Sequence, residues 1–156
     1  MPELINIGIA EMNVGTPPQV LRTILGSCVA ICLYDSTENL NGLSHIMLPK
    51  RNNPSSPPGK YADTAIPLLV DMMKEQGAKK IVAKLVGGAT MFKMADESLM
   101  SKIGDNNVGK CREILGELGI DIISEDVGGD MGRTLDFYSD NGRVVIRTMN
   151  RQELII

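Results

Sequence analysis

GSCVAICLYDSTENLNGLSHIML, residues 26–48, joins two apolar runs through a polar break. CVAICLY is apolar with β-branched residues, DSTENLNG carries turn-forming side chains, and LSHIML is apolar again. That sequence of properties predicts a β-hairpin. Closed symmetrically over Asp35-Ser36-Thr37-Glu38, the hairpin sets Cys28 opposite His45, the only histidine of the chain. Directly opposed residues have Cβ atoms about 4.5–5.5 Å apart, near enough for a thiol to meet an imidazole. Asn41-Gly42 offers a competing turn that would pair His45 with Glu38 and leave the strands with poorer partners. In the preferred register Val29, Ile31 and Leu33 share a core face with Ser44, Ile46 and Leu48, and Cys28, Ala30, Cys32 and Tyr34 face the other way.

A nearby imidazole can take the thiol proton of Cys28 or stabilise its thiolate. The ring then needs a partner on its second nitrogen, for which the hydroxyl of Thr23 is a candidate. Gly26 and Ser27, just before the cysteine, leave room for a substrate and free backbone N–H groups to hold an oxyanion. The competing reading is plain burial, since cysteine behaves as a small hydrophobe. Cys32 and Cys111 fit burial best. A zinc site from Cys28, Cys32, His45 and Cys111 has suitable ligand types, but a C-x3-C spacing on a strand suits tetrahedral chelation poorly. A Cys28–Cys32 redox pair fails similarly, because strand positions four apart lie about 13 Å from each other. No metal or cofactor is expected.

Outward from the hairpin, LINIGIAEMNV reads as one strand and VLRTIL as a second, separated by TPPQ. PKRNNPSSPPGK, residues 49–60, is a surface loop holding four of the 8 prolines. ADTAIPLLVDMMKEQG predicts a helix with Ile66, Leu69, Met72 and Met73 on one stripe, Asp63 or Thr64 as cap and Gly77 as stop. KKIVAKLVGGAT is a strand ending at Gly87-Gly88. A second helix is expected over about 105–118, with Val108, Cys111, Ile114, Leu115 and Leu118 on its buried face. DIISEDVGGD, TLDFYSD and RVVIRTM supply three more strands, the last two joined through Asp140-Asn141-Gly142. The order is four strands, helix, strand, helix, three strands. It predicts an α/β domain of mixed or antiparallel sheets with two or more packed helices rather than a doubly wound parallel sheet.

A chain of 156 residues fits a single domain, 1–156, that buries its own core. Its 16 basic and 19 acidic residues are spread evenly, with a sequence pI near 5.2, so no basic block suits a nucleic acid. There is no tryptophan for base stacking. An odd count of 3 cysteines and an N-terminus without a basic or long apolar leader predict reduced thiols in the cytoplasm. No apolar run approaches the about 20 residues that cross a bilayer, so membrane insertion is not expected.

Ordered blocks along the chain, LGSCVAICLYD, GLSHIMLP, GKYADTAI, KLVGGATMF, IGDNNV and EDVGGDMGR, resemble those of the CheD family of chemoreceptor glutamine deamidases over about residues 3–148. The resemblance implies an α/β sandwich similar to the catalytic domain of cytotoxic necrotizing factor toxins. It implies Cys28 as nucleophile, His45 as base and Thr23 as the residue that orients His45. It further implies a protein-glutamine glutaminase acting on the cytoplasmic helices of methyl-accepting receptors, with receptor methylesterase activity and a CheC-type phosphatase partner in some members. Around the nucleophile, Ser27, Gly26, Lys60, Tyr61, Gly87 and Gly88 are the expected oxyanion and substrate-binding residues, with PKRNNPSSPPGKY and GGATMF as rims. A regulatory module that binds receptors or the phosphatase without catalysis is the alternative from a different functional class.

Overall fold

The structure, a computed structural model, describes residues 2–90, 97–149 and 151–156. In chain order its elements are β1 (Glu3–Asn6), β2 (Met12–Gly15), β3 (Gln19–Leu25), β4 (Val29–Asp35), β5 (Leu40–Ile46), α1 (Ala62–Glu75), β6 (Val82–Gly87), α2 (Glu97–Glu117), β7 (Asp121–Val127), β8 (Arg133–Tyr138), β9 (Val144–Thr148) and β10 (Arg151–Ile155). The 49–60 segment is irregular up to a 3₁₀ turn at Pro58–Lys60. Two mixed sheets of five strands result, ordered β1-β3-β8-β9-β10 and β2-β5-β4-β6-β7. Among the described residues, only the strand pairs β1–β3 and β6–β7 run parallel. The expected α/β class holds.

Three layers follow from where the apolar faces go. Leu21, Leu25, Ala30, Cys32, Leu43, Val86, Leu135, Phe137 and Ile146 fill the space between the sheets. Val29, Ile31, Leu33, Ile46, Leu85, Leu69, Met73, Cys111 and Leu115 fill the space between the second sheet and the two helices. β4 is therefore covered on both faces, and Val29 through Leu33 are at most 1% exposed. The open face of the first sheet carries charge instead. Arg22 donates two hydrogen bonds to Asp136 (2.6 and 2.8 Å), Arg147 donates a third (2.9 Å), and Arg147 also reaches Glu153 (3.0 Å).

The hairpin forms with its expected faces but a different register. Asp35 pairs with Leu40 and Ala30 with His45, so the turn is Ser36–Asn39 and the residue opposite His45 is not Cys28. Asn39 takes a left-handed backbone (φ 51°), and the Asp35 carboxylate closes the turn on Thr37 N–H (2.8 Å) and Thr37 Oγ1 (2.6 Å). Gly42 is no turn residue. A Cβ there would stand 2.9 Å from Met73 Sδ and 3.0 Å from Leu69 Cδ1, so glycine lets α1 lie close on β5.

Other expectations need correction. LINIGIAEMNV divides into β1 and β2, which belong to different sheets, because the chain crosses between them through a turn with Ala10 at φ 68°. α1 starts after Tyr61 without a side-chain cap; Asp63 accepts from Arg51 N–H (2.9 Å) and Thr64 Oγ1 donates to the Pro58 carbonyl. α2 begins earlier, and Leu118 is 42% exposed rather than part of its buried face. β10 was not anticipated; it adds an edge to the first sheet.

Asp35 is fully buried and also accepts from Lys79 N–H and from Lys80 N–H (3.1 Å), so it ties the hairpin turn to the segment entering β6. Burial alone would raise its carboxyl, but the Thr37, Lys79 and Lys80 donors outweigh it and hold it well below the carboxylate range. A depressed folded value gives stability that is complete above the unfolded value of about 3.9 and is lost as pH falls below it. Asp35→Ala should cost about 3 kcal/mol at pH 7 by urea unfolding, since charged hydrogen bonds are worth about 1.5–3 kcal/mol each. The gap to the wild type should narrow as pH is lowered from 5 toward 2.

Candidate active site

Residues 26–28 carry the chain from the first sheet, at the end of β3, to the second, at the start of β4. Every carbonyl of this bridge is tied back. Gly26 accepts from Ala89 N–H (3.2 Å), Ser27 from Asn107 Nδ2 (3.4 Å) and Cys28 from Gly88 N–H (2.9 Å). The 87–90 turn is clipped in the same way, with Gly128 N–H on the Gly87 carbonyl and Thr90 N–H on the Gly129 carbonyl, both at 2.9 Å. Gly87 (φ 117°) must be glycine, because a Cβ would lie 2.3 Å from the Cys28 carbonyl oxygen. Among the described residues, the turn hydrogen bonds include none donated by the N–H of Ser27 or Cys28.

His45 is 3% exposed and faces the first sheet from β5. Its backbone is held on both sides, N–H to the Glu11 carbonyl (3.1 Å) and carbonyl from Ala10 N–H (3.0 Å). Across the gap, from β3, Thr23 Oγ1 lies 2.7 Å from His45 Nδ1 and donates to the Ile7 carbonyl at 2.8 Å. A hydroxyl has one hydrogen, and Ile7 takes it. Thr23 therefore accepts from Nδ1–H, which fixes the neutral ring as the Nδ1–H tautomer and leaves the lone pair on Nε2. Nε2 is buried and has no hydrogen-bond partner among the described residues. The expected trio is thus split between sheets, with Thr23 on one and His45 on the other.

Continued one residue past the ladder, the register puts Cys28 diagonal to His45, two positions from Ala30 and packed in the same layer between the sheets. Diagonal neighbours have backbones about 7–8 Å apart, still within the reach of an imidazole. Cys32 is the other diagonal neighbour, but the two thiols differ in access. Cys28 is half-buried, whereas Cys32 is 1% exposed and burial pushes its thiol up to about 12. Cys111 belongs to the helix layer, is fully buried, and burial pushes it up to about 12 as well. The three cysteines and His45 do not converge.

Burial raises the Cys28 thiol above its ordinary value. Burial also lowers His45, outweighing the opposite pull of Glu11 and of the Ile7 hydrogen bond. At rest the two groups are a thiol and a neutral imidazole, with no hydrogen bond between them among the described residues.

The other expected residues fall in different places. Gly26, Ser27, Gly87 and Gly88 form the clipped turns around Cys28. Lys60 is half-buried and its carbonyl accepts from Met47 N–H (2.9 Å) and Leu48 N–H (3.0 Å), next to the strand that holds His45. Tyr61 is 2% exposed, so it packs inside rather than lining a rim. Met91 and Phe92 of the GGATMF rim lie outside the described residues. The sequence reading missed Asn107, which donates to the Ser27 and Met47 carbonyls, and Arg133, which holds Asp126 (3.0 Å) and the Gly128 carbonyl (2.9 Å) under the outermost turn. Both lie in blocks already quoted, IGDNNV and EDVGGDMGR, among other polar residues; for Asn107 the available signal was its helical spacing of four and seven from Cys111 and Ile114 on the buried stripe.

Residues 47–148 match the family model described as CheD chemotactic sensory transduction. That match starts two residues after His45. A probable chemoreceptor glutamine deamidase CheD of Clostridium novyi strain NT is 50% identical over 150 residues, covering 93% of each chain. Proteins of the same name from Clostridium botulinum strains Hall and Langeland are each 45% identical over 150 residues, again covering 93% of each chain.

With a single histidine in the chain, 15N NMR reads its ring without ambiguity. At neutral pH the ring should be the Nδ1–H tautomer, with a titration midpoint below the ordinary value of about 6.5. Thr23→Val should release the tautomer preference; an unchanged spectrum would mean that Thr23 does not set it.

Proposed function

Because this chain belongs to the CheD family, we propose that it hydrolyses glutamine side-chain amides of chemoreceptors, giving glutamate and ammonia. The observation that carries the chemistry is the His45 ring, its Nδ1–H bound to Thr23 and its Nε2 lone pair unpartnered, on the sheet face that also presents the accessible thiol of Cys28.

His45 Nε2 takes the thiol proton as Cys28 Sγ attacks the carboxamide carbon, and the carbonyl π pair moves onto oxygen. The N–H groups of Ser27 and Cys28, which donate in none of the turn hydrogen bonds among the described residues, are the donors for that oxyanion in this reading. The imidazolium returns the proton to the departing nitrogen, ammonia leaves, and a thioester remains. Water, deprotonated by the same Nε2, adds to the thioester; collapse expels the thiol, which regains its proton, and glutamate is released. Thr23 keeps the ring in the tautomer that each step needs. Acyl chemistry of this kind extends to receptor methyl esters, and a CheC-type phosphatase is a second partner in this reading.

No helix among the described residues is long and apolar enough to cross a membrane, in keeping with action on the cytoplasmic helices of receptors.

Incubation with a receptor cytoplasmic fragment should produce a +1 Da change at particular glutamines by peptide mass spectrometry. Cys28→Ala should abolish it, and His45→Ala should slow it by about 10²-fold or more. The profile of kcat/KM should rise with pH as His45 loses its proton, below about pH 6.5, and stay flat through neutrality until the raised thiol ionises. Receptor binding without deamidation by the wild type would instead favour the non-catalytic module.

A further inference from the structure

The ladder between β4 and β5 ends at Val29 and Ile46, one residue short of Cys28 on one strand and one beyond His45 on the other. The next pair, Cys28 and Met47, has no ladder, although the nucleophile and the base must keep a fixed separation there. A side chain from a third element spans the gap. Asn107 of α2 donates one Nδ2 hydrogen to the Met47 carbonyl (2.9 Å) and the other to the Ser27 carbonyl (3.4 Å). A carboxamide is the short side chain that offers two hydrogens on one nitrogen; aspartate offers none.

Its setting argues for a role beyond packing. Asn107 is 0% exposed, while its helix neighbours Val108, Cys111, Ile114 and Leu115 are apolar core. Both of its hydrogens are committed to the two carbonyls, and its Oδ1 is buried with no partner among the described residues. An orphaned buried oxygen costs free energy that an apolar residue at the same place would avoid.

Taking the proposed Cys28–His45 reaction as its premise, the geometry points to Asn107 as a positioning residue that sets the distance between nucleophile and base. It fixes the carbonyl immediately before Cys28 to the carbonyl of the second residue after His45. It touches neither reacting group and acts through the two backbones.

The test compares Asn107→Asp, which keeps the shape and removes both donors, with Ile114→Ala, a cavity in the same helix away from the site. Deamidation kinetics on a receptor fragment and iodoacetamide alkylation of Cys28 across pH, followed by peptide mass spectrometry, are read beside Tm. Asn107→Asp should lower kcat by about 10²-fold, the scale of a 1 Å misplacement, with KM unchanged. It should also shift the pH dependence of Cys28 alkylation. Ile114→Ala should lose at least as much Tm and keep wild-type kcat and alkylation. If Asn107→Asp does not fold, Asn107→Ser, with one shorter donor, should show the same changes in smaller measure. Wild-type kcat and alkylation in the folded Asn107 variant would overturn the assignment, as would a loss of kcat in Ile114→Ala that follows its Tm. Absence of deamidation by the wild-type protein would refute the proposed reaction alone, because the alkylation profile reads the positioning of Cys28 independently.

Discussion

Burial of β4 on both faces is the constraint from which the rest of the molecule follows. A strand apolar on one side needs one covering layer; Val29 through Leu33 need two, and the chain supplies a second sheet on one side and two helices on the other. The helix side takes the odd-numbered residues of β4, so the even-numbered ones, Cys28 in phase with them, face the other sheet. His45 reaches the same gap from β5. Cys28 and His45 thereby lie at the edge of a buried seam, where desolvation raises the thiol and lowers the imidazole.

Rigidity at that mouth comes from backbone more than from side chains. Three successive turns, at 26–28, 87–90 and 128–129, are hydrogen-bonded in series, and Arg133 fastens the outermost to Asp126. In three of these bonds a carbonyl of the front turn accepts from an N–H of the turn behind, and Thr90 N–H runs the other way to the Gly129 carbonyl. Left over at the front are the N–H groups of Ser27 and Cys28, which donate in none of the turn hydrogen bonds among the described residues.

Much of this was legible in residues 26–48. Parity is robust in a strand, so Cys28 and His45 could be placed on one face even though the register was wrong by two positions: Leu40 joins β5, and Asn39 supplies the left-handed turn residue that Asn41-Gly42 seemed to offer. Gly42 offered a competing turn, set aside in favour of closure over Asp35–Glu38, because a glycine that admits a helix and a glycine that makes a turn read alike in sequence. The division of LINIGIAEMNV was not legible, since alternation is the same whether a segment stays in one sheet or passes to another. Nor was the way Thr23 meets His45: the two face each other across the layers, and sequence separation carries no trace of that. Asn107 was hidden by the ordinary expectation that an asparagine on a helix faces solvent.

The protonated resting thiol has a consequence for the lifetime of the protein. Peroxides and electrophiles attack thiolates, so a cysteine held as a thiol in a low-dielectric seam is a slow target for oxidation to sulfenic acid. Cys28 is thus slow to oxidise, a form of durability that a thiolate at the same place would lack.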